Sequence, residues 1–135
     1  RNRMIRELII DNIERDPEWR NGEYTSTPIN GMRAAMGNFY MMTSAPLLQL
    51  TQAPTRAAAD SVILEYIERR SHAFDANDII YAFQASRDYD PSAKLESVTT
   101  PVLAINSADD FVNPPELGIM EKLIPRAPHA GARGS

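Results

Sequence analysis

The chain has 135 residues, about one domain, with 43% hydrophobic residues and a formal net charge of -4. No window approaches the roughly 18 apolar residues of a membrane span. Lys and Arg are scattered, with Arg69-Arg70 the only adjacent basic pair, which argues against the clustered basic face of a nucleic-acid binder. Without cysteine there is no disulfide, thiolate metal site or Cys nucleophile, and His72 and His129 are too few and too far apart for a zinc site.

The N-terminus has neither an initiator Met nor the apolar region of a signal peptide, so the chain reads as starting inside a longer protein. Residues 3–15 carry Met4, Ile5, Leu8, Ile9 and Ile13 at helical spacing, with Arg6, Glu7, Asn12 and Glu14 facing elsewhere. Asp16-Pro17 ends that helix, because the residue before proline is pushed out of helical geometry. A polar loop follows to Pro28, with Asn21-Gly22 as a turn signal. Residues 31–43 are apolar and Met-rich and predict a second helix. Pro46 and Pro54 bracket a piece read as irregular. A third helix is predicted from an N-cap at Thr55 to about Arg70, burying Val62, Ile63, Tyr66 and Ile67. A fourth starts at Asp75, keeps Asp78 near its positive end, buries Ile79, Ile80 and Phe83, and stops before Asp90-Pro91.

The character changes after Pro91. Residues 92–100 form a connector, and Val102-Leu-Ala-Ile105 has the signature of a strand buried on both faces. Asp109-Asp110 then stands at the carboxyl end of that strand, where open α/β sheets put catalytic groups. Pro114-Pro115 suits the first turn of a helix carried by Leu117, Ile119, Met120, Leu123 and Ile124. The tail, residues 126–135, is small and polar and reads as disordered. One parallel-type strand cannot satisfy its own backbone groups, so its sheet is expected outside this sequence or in another chain.

Four segments in order, Asp75-Ala-Asn-Asp78, Ser86-Arg-Asp-Tyr-Asp-Pro91, Pro101 to Asp110 and Asn113-Pro-Pro-Glu116, resemble the homoserine O-acetyltransferase-like branch of the α/β-hydrolase superfamily. Asn2-Arg-Met4, Asp16-Pro-Glu-Trp19 and Gly22-Glu-Tyr24 resemble the segment opening that family's helical lid. The resemblance spans about residues 1–124. It implies an α/β fold class, the chain being a fragment of an α/β-hydrolase fold: lid over 1–91, one late core strand and helix over 92–125, and the tail.

The resemblance also implies a reaction. A Ser nucleophile attacks an acyl thioester such as acetyl-CoA, and the acyl group passes to a hydroxyl such as that of homoserine; relatives also act as plain hydrolases. Asp110, four positions before Pro114, matches the family's catalytic acid, with Asp109 as second choice; this acid holds a His in the correct tautomer. The Gly-x-Ser-x-Gly elbow occurs nowhere in the chain. His129 follows the acid in the right order, but the residues around it lack a strand pattern. The chain therefore reads as the C-terminal portion of an acyltransferase or hydrolase, inactive alone. Acyl-CoA enters as a co-substrate, and no resident cofactor or metal is implied. Candidates for the substrate channel are Tyr24, Met36, Tyr40 and Arg87. Alternatively, Met36 and Tyr40 are plain packing, Arg87 pairs with Asp88, Trp19 and Tyr24 anchor the loop, and His72 caps a helix. Expected partners are a small acyl donor and acceptor and a second copy met through the lid, in the cytoplasm, without nucleic acid or membrane. A rival class is a non-enzymatic helical binding or dimerisation module.

Overall fold

The structure, a computed structural model, describes residues 2–119 and residue 122. Isoleucines 9, 10 and 13 share one side of α1 (Asn2–Glu14) and are almost wholly buried. They meet Met32, Ala35 and Met36 of α2 (Ile29–Thr43). Ala76, Ile80 and Phe83 of α5 (Ala76–Ala85) complete the core. Each large apolar side chain so buried stabilises the fold by about 1.5–3 kcal/mol. Because α1 packs against both α2 and α5, its contact face centres on Ile9, Ile10 and Ile13. Met4 and Leu8, expected on the buried stripe, lie exposed.

Asp16 links the first two helices. The residue is 6% exposed; Oδ2 accepts the Gly31 amide at 2.7 Å and Oδ1 the Glu18 amide at 3.0 Å. Gly31 lies in the first turn of α2, whose leading amides have no partner within the helix. The residue at the cap position, Pro28, makes no side-chain cap bond, so Asp16 supplies the acceptor from across the turn. Gly31 also marks the close approach of α1 and α2. A Cβ there would stand 2.6 Å from the Asn12 carbonyl oxygen.

Between Pro46 and Pro54 the chain is a short helix, α3 (Pro46–Gln52), where an irregular piece was expected. Proline is compatible with the first helical position, and Pro54 follows the last turn; the two prolines delimit the helix instead of preventing it. The expected N-caps are in place. Thr55 Oγ1 accepts the Ala58 amide at the start of α4 (Arg56–Ser71). Asp75 Oδ1 accepts from Asn77 and Asp78 at the start of α5. The α4 helix lies along α2, with the Tyr40 and Tyr66 rings 4.8 Å apart and Arg33 paired to Glu68.

The loop before α2 is latched to α5. Arg20, Asn21 and Gly22 have φ of 52°, 56° and 93°, a left-handed run that turns the chain back. Trp19 Nε1 donates to Asn77 Oδ1 at 2.9 Å, and Asn77 Nδ2 donates to the Gly22 carbonyl at 3.0 Å. The Tyr24 hydroxyl donates to the Asp75 carboxylate and accepts the Ala76 amide. The Tyr24 hydrogen bond holds the Asp75 carboxyl below its ordinary range. Desolvation, with the bond to Asp75, holds the Tyr24 hydroxyl above its own. The stability from Asp75 is thus present above about pH 4 and is lost as pH falls through its lowered value. That from Tyr24 is present below about pH 10 and is lost as pH rises through its raised value. Tyr24→Phe is expected to cost about 1 kcal/mol near neutrality. Thermal melts should show the gap to wild type closing toward pH 3; a constant gap there would contradict the latch.

The sequence expectation of an α/β fold is corrected: every helix or strand element among the described residues is a helix, and the fold is all-α. Beyond α5 lie a 3-10 segment, Ser92–Ser97, and a 3-10 turn, Pro115–Leu117, in otherwise irregular chain. Val102 makes a single isolated bridge, and no strand occurs among the described residues. Leu103 and Ile105 are 81% and 84% exposed, so the segment read as a doubly buried strand is exposed and without regular structure. The physical reason is the one anticipated for its backbone: a strand needs a neighbour to bond its amides and carbonyls. Of the helix expected after Pro115, Met120, Leu123 and Ile124 lie outside the described residues, as does the tail.

Candidate functional site

The Asp109-Asp110 pair stands in a braced loop. The Asn106 side-chain amide donates to the Asn113 carbonyl at 3.1 Å, tying the loop's two ends. The Asp110 amide donates to the Ser107 carbonyl at 3.3 Å. Asp110 Oδ1 accepts the amides of Val112 and Asn113 at 2.8 and 2.9 Å, an arrangement in which aspartate stands in for a backbone turn. One carboxylate oxygen therefore fixes the turn, and Oδ2 has no hydrogen-bond partner among the described residues. Both acids are half-buried.

Two clefts border this loop. One, of about 410 Å³, joins Asp109 and Asp110 to Arg6 of α1 and to residues 42–45, where α2 passes into α3. The other, of about 520 Å³, runs from Ile105 past Asp110 to Pro114, Pro115 and Ile119. Asp110 lines both. A carboxylate held by one oxygen can accept an N–H at the other and so orient an imidazole. No serine is hydrogen-bonded to a histidine among the described residues. His72 caps α4, with Nε2 3.4 Å from Glu68. His129 lies outside the described residues. No group of three or more His, Asp or Glu among the described residues is arranged to hold a metal.

The other sequence candidates are spread over the molecule. Tyr24 belongs to the latch on α5, as does Trp19. Met36 is fully buried in the core between α1, α2 and α5. Tyr40 packs against Tyr66 with the rings tilted by 60° and lines an open apolar groove of about 560 Å³ with Met41, Leu47, Leu50, Val62 and Ile63. Arg87 lines a cleft of about 590 Å³ between the start of α1 and the end of α5, where its carboxylate neighbour is Glu7 at 3.8 Å. Sequence reasoning missed Arg6, which it assigned only to the polar side of α1. Arg6 lines both the Asp110 cleft and the Arg87 cleft. Nothing local in the sequence marks it, because its neighbours come from the far end of α5 and the loop beyond.

The chain matches no family model, and no curated protein or solved structure is significantly similar to it. No helix among the described residues is long and apolar enough to cross a membrane.

Proposed function

We propose that this chain is the helical cap and acid-bearing segment of an acyl-transferring enzyme resembling homoserine O-acetyltransferase, with Asp110 orienting the catalytic His. One observation carries the reading: Asp110 spends one oxygen on its own turn and keeps the other without a partner among the described residues, in a loop that borders two clefts. The order of the quoted motifs from Asn2 to Glu116 supports it. In the reaction, a serine attacks the thioester carbonyl of an acyl-CoA while His takes its proton. Asp110 holds that His in the attacking tautomer and stabilises the imidazolium. The acyl-serine then passes its acyl group to the hydroxyl of a small acceptor. On this reading the nucleophilic serine and its histidine lie in a longer product, since the Gly-x-Ser-x-Gly elbow is not encoded here, and the 135-residue chain alone is then expected to perform no turnover. An acyl-CoA donor and the absence of cysteine favour a cytoplasmic setting.

The test is to extend the reading frame in the source DNA and express the longer product. With acetyl-CoA and homoserine it is expected to release free thiol, while the 135-residue chain releases none. Equal rates from both, or no thiol release from a folded longer product with homoserine or water as acceptor, would overturn the reading.

A self-associating helical module is the second reading. Leu47, Leu48 and Leu50 of α3 are 65%, 52% and 73% exposed, an apolar ledge beside the groove. Light scattering should then give a discrete dimer that Leu47→Lys and Leu50→Lys together dissociate; a monomer of wild-type sequence rules this out.

A further inference from the structure

We infer that the cleft between the first turn of α1 and the end of α5 binds a phosphate-bearing small molecule, with Arg6 as its central cation. This inference stands apart from the acyl-transfer reading and does not rest on it.

The first observation is the environment of Arg6. Arg6 is half-buried, and its guanidinium lies 5.5 Å from the Phe83 ring centroid. Nε donates to Asn2 Oδ1 at 2.6 Å and Nη1 to the Ser86 hydroxyl. Ser86 is itself held by donating to the Phe83 carbonyl. Both acceptors of Arg6 are neutral. No carboxylate among the described residues lies within 4.0 Å of it, although three other arginines, Arg15, Arg33 and Arg87, each have one. Charges drawn away from water are ordinarily matched by an opposite charge. Arg6 is instead fixed in position by dipoles, with Nη2 unengaged among the described residues. That is the arrangement of a preoriented anion donor.

The second observation is the sign of the cleft. Arg3 and Arg87 line it beside Arg6, against Glu7 and Asp88, an excess of one positive charge in a chain of net charge -4. Glu7 is already occupied with Arg87, and Arg3 is felt by Asp90. The first turn of α1 contains no acid, so its positive end is not neutralised from within the helix. Asp109 and Asp110 border the neighbouring cleft that shares Asn2 and Arg6. The cleft's volume, about 590 Å³, is in the range of small-molecule sites. Exposed Tyr89 at its rim adds a flat ring on which a base can stack. Arg6 keeps an N–H clear of any carboxylate among the described residues, and Arg3 and Arg87 line the same cleft, so a phosphate, with three or more acceptor oxygens, can take donors from more than one of them where a planar carboxylate offers two oxygens. The ligand class is therefore a phosphomonoester or diphosphate attached to a ring, such as a nucleotide.

Isothermal titration of the full 135-residue chain with inorganic pyrophosphate and with adenosine 5′-monophosphate tests this. Saturable binding is expected, weakening as salt is raised, with Arg6→Gln weakening it about tenfold or more. Arg33→Gln, a control on the opposite side of the core pairing, should leave binding unchanged. Circular dichroism confirms that the variants remain helical. If Arg6→Gln fails to fold, Ser86→Ala and Arg87→Gln serve in its place, each weakening binding. Absence of saturable binding of both probes at millimolar concentration overturns the inference. So does binding that Arg6→Gln, Ser86→Ala and Arg87→Gln leave unaltered, or that Arg33→Gln weakens equally. Each of these failures would leave the thiol-release assay free to succeed.

Discussion

Gly31→Ala is expected to destabilise the chain by about 3 kcal/mol, toward the upper end of what overpacking a core position costs. An added Cβ would stand 2.6 Å from the Asn12 carbonyl oxygen, 2.9 Å from Asp16 Cβ and 3.0 Å from Ile13 Cα. Two of the three neighbours are backbone atoms of α1, so no side-chain rotation relieves them. The helix must move, and it moves against Ile9 and Ile13, which are fully buried. The same shift lengthens the 2.7 Å bond from the Gly31 amide to Asp16, leaving a buried carboxylate short of a partner. The loss therefore combines packing with an electrostatic contact. Urea unfolding followed by circular dichroism should show the midpoint falling with an unchanged slope. A midpoint within experimental error of wild type would mean that α1 and α2 do not cross at Gly31.

The helices were legible where the signal was local. Thr55 and Asp75 each cap their helix through their own side chains, and the residues that reveal them lie within three positions. The α3 helix escapes a reading in which Pro46 and Pro54 bracket an irregular piece, because Pro46 sits in the first turn, where the leading amides have no partner within the helix. The stretch from Val102 to Ile105 was misread for a different reason. Four apolar residues in a row have the same pattern whether neighbours cover them or not, and the pattern contains no information about neighbours. Asp16 was read as a helix terminator and as part of a lid-opening segment, yet it also caps the next helix from 15 residues away. Arg6 was invisible as a site residue because its partner Ser86 lies 80 positions along the chain. Asp110 was singled out through the resemblance, its spacing to Pro114 matching that of the catalytic acid in the α/β-hydrolase superfamily. Its turn geometry explains part of that spacing, since its carboxylate organises the chain up to Asn113.

On the acyl-transfer proposal, Asp110→Ala in a longer in-frame product is expected to lower turnover about 10³- to 10⁴-fold, the scale seen when a triad acid no longer sets the His tautomer. KM for the acyl donor should change little, because in that proposal the acid acts through the His and touches neither substrate. Asp109→Ala should cost far less: it shares the 410 Å³ cleft but makes no turn bond among the described residues. Asp110→Asn separates catalysis from scaffolding. Asparagine keeps an oxygen to accept the Val112 and Asn113 amides, so the loop is retained, but it lacks the charge that stabilises an imidazolium. Its melting temperature should stay near wild type while its turnover falls with that of Asp110→Ala.

The most direct measurement is kcat for thiol release from acetyl-CoA by wild type, Asp110→Asn and Asp109→Ala of that longer product. The account predicts that kcat collapses in Asp110→Asn alone, with folding intact. Near-wild-type kcat in Asp110→Asn would contradict it and leave Asp110 as the organiser of a surface turn.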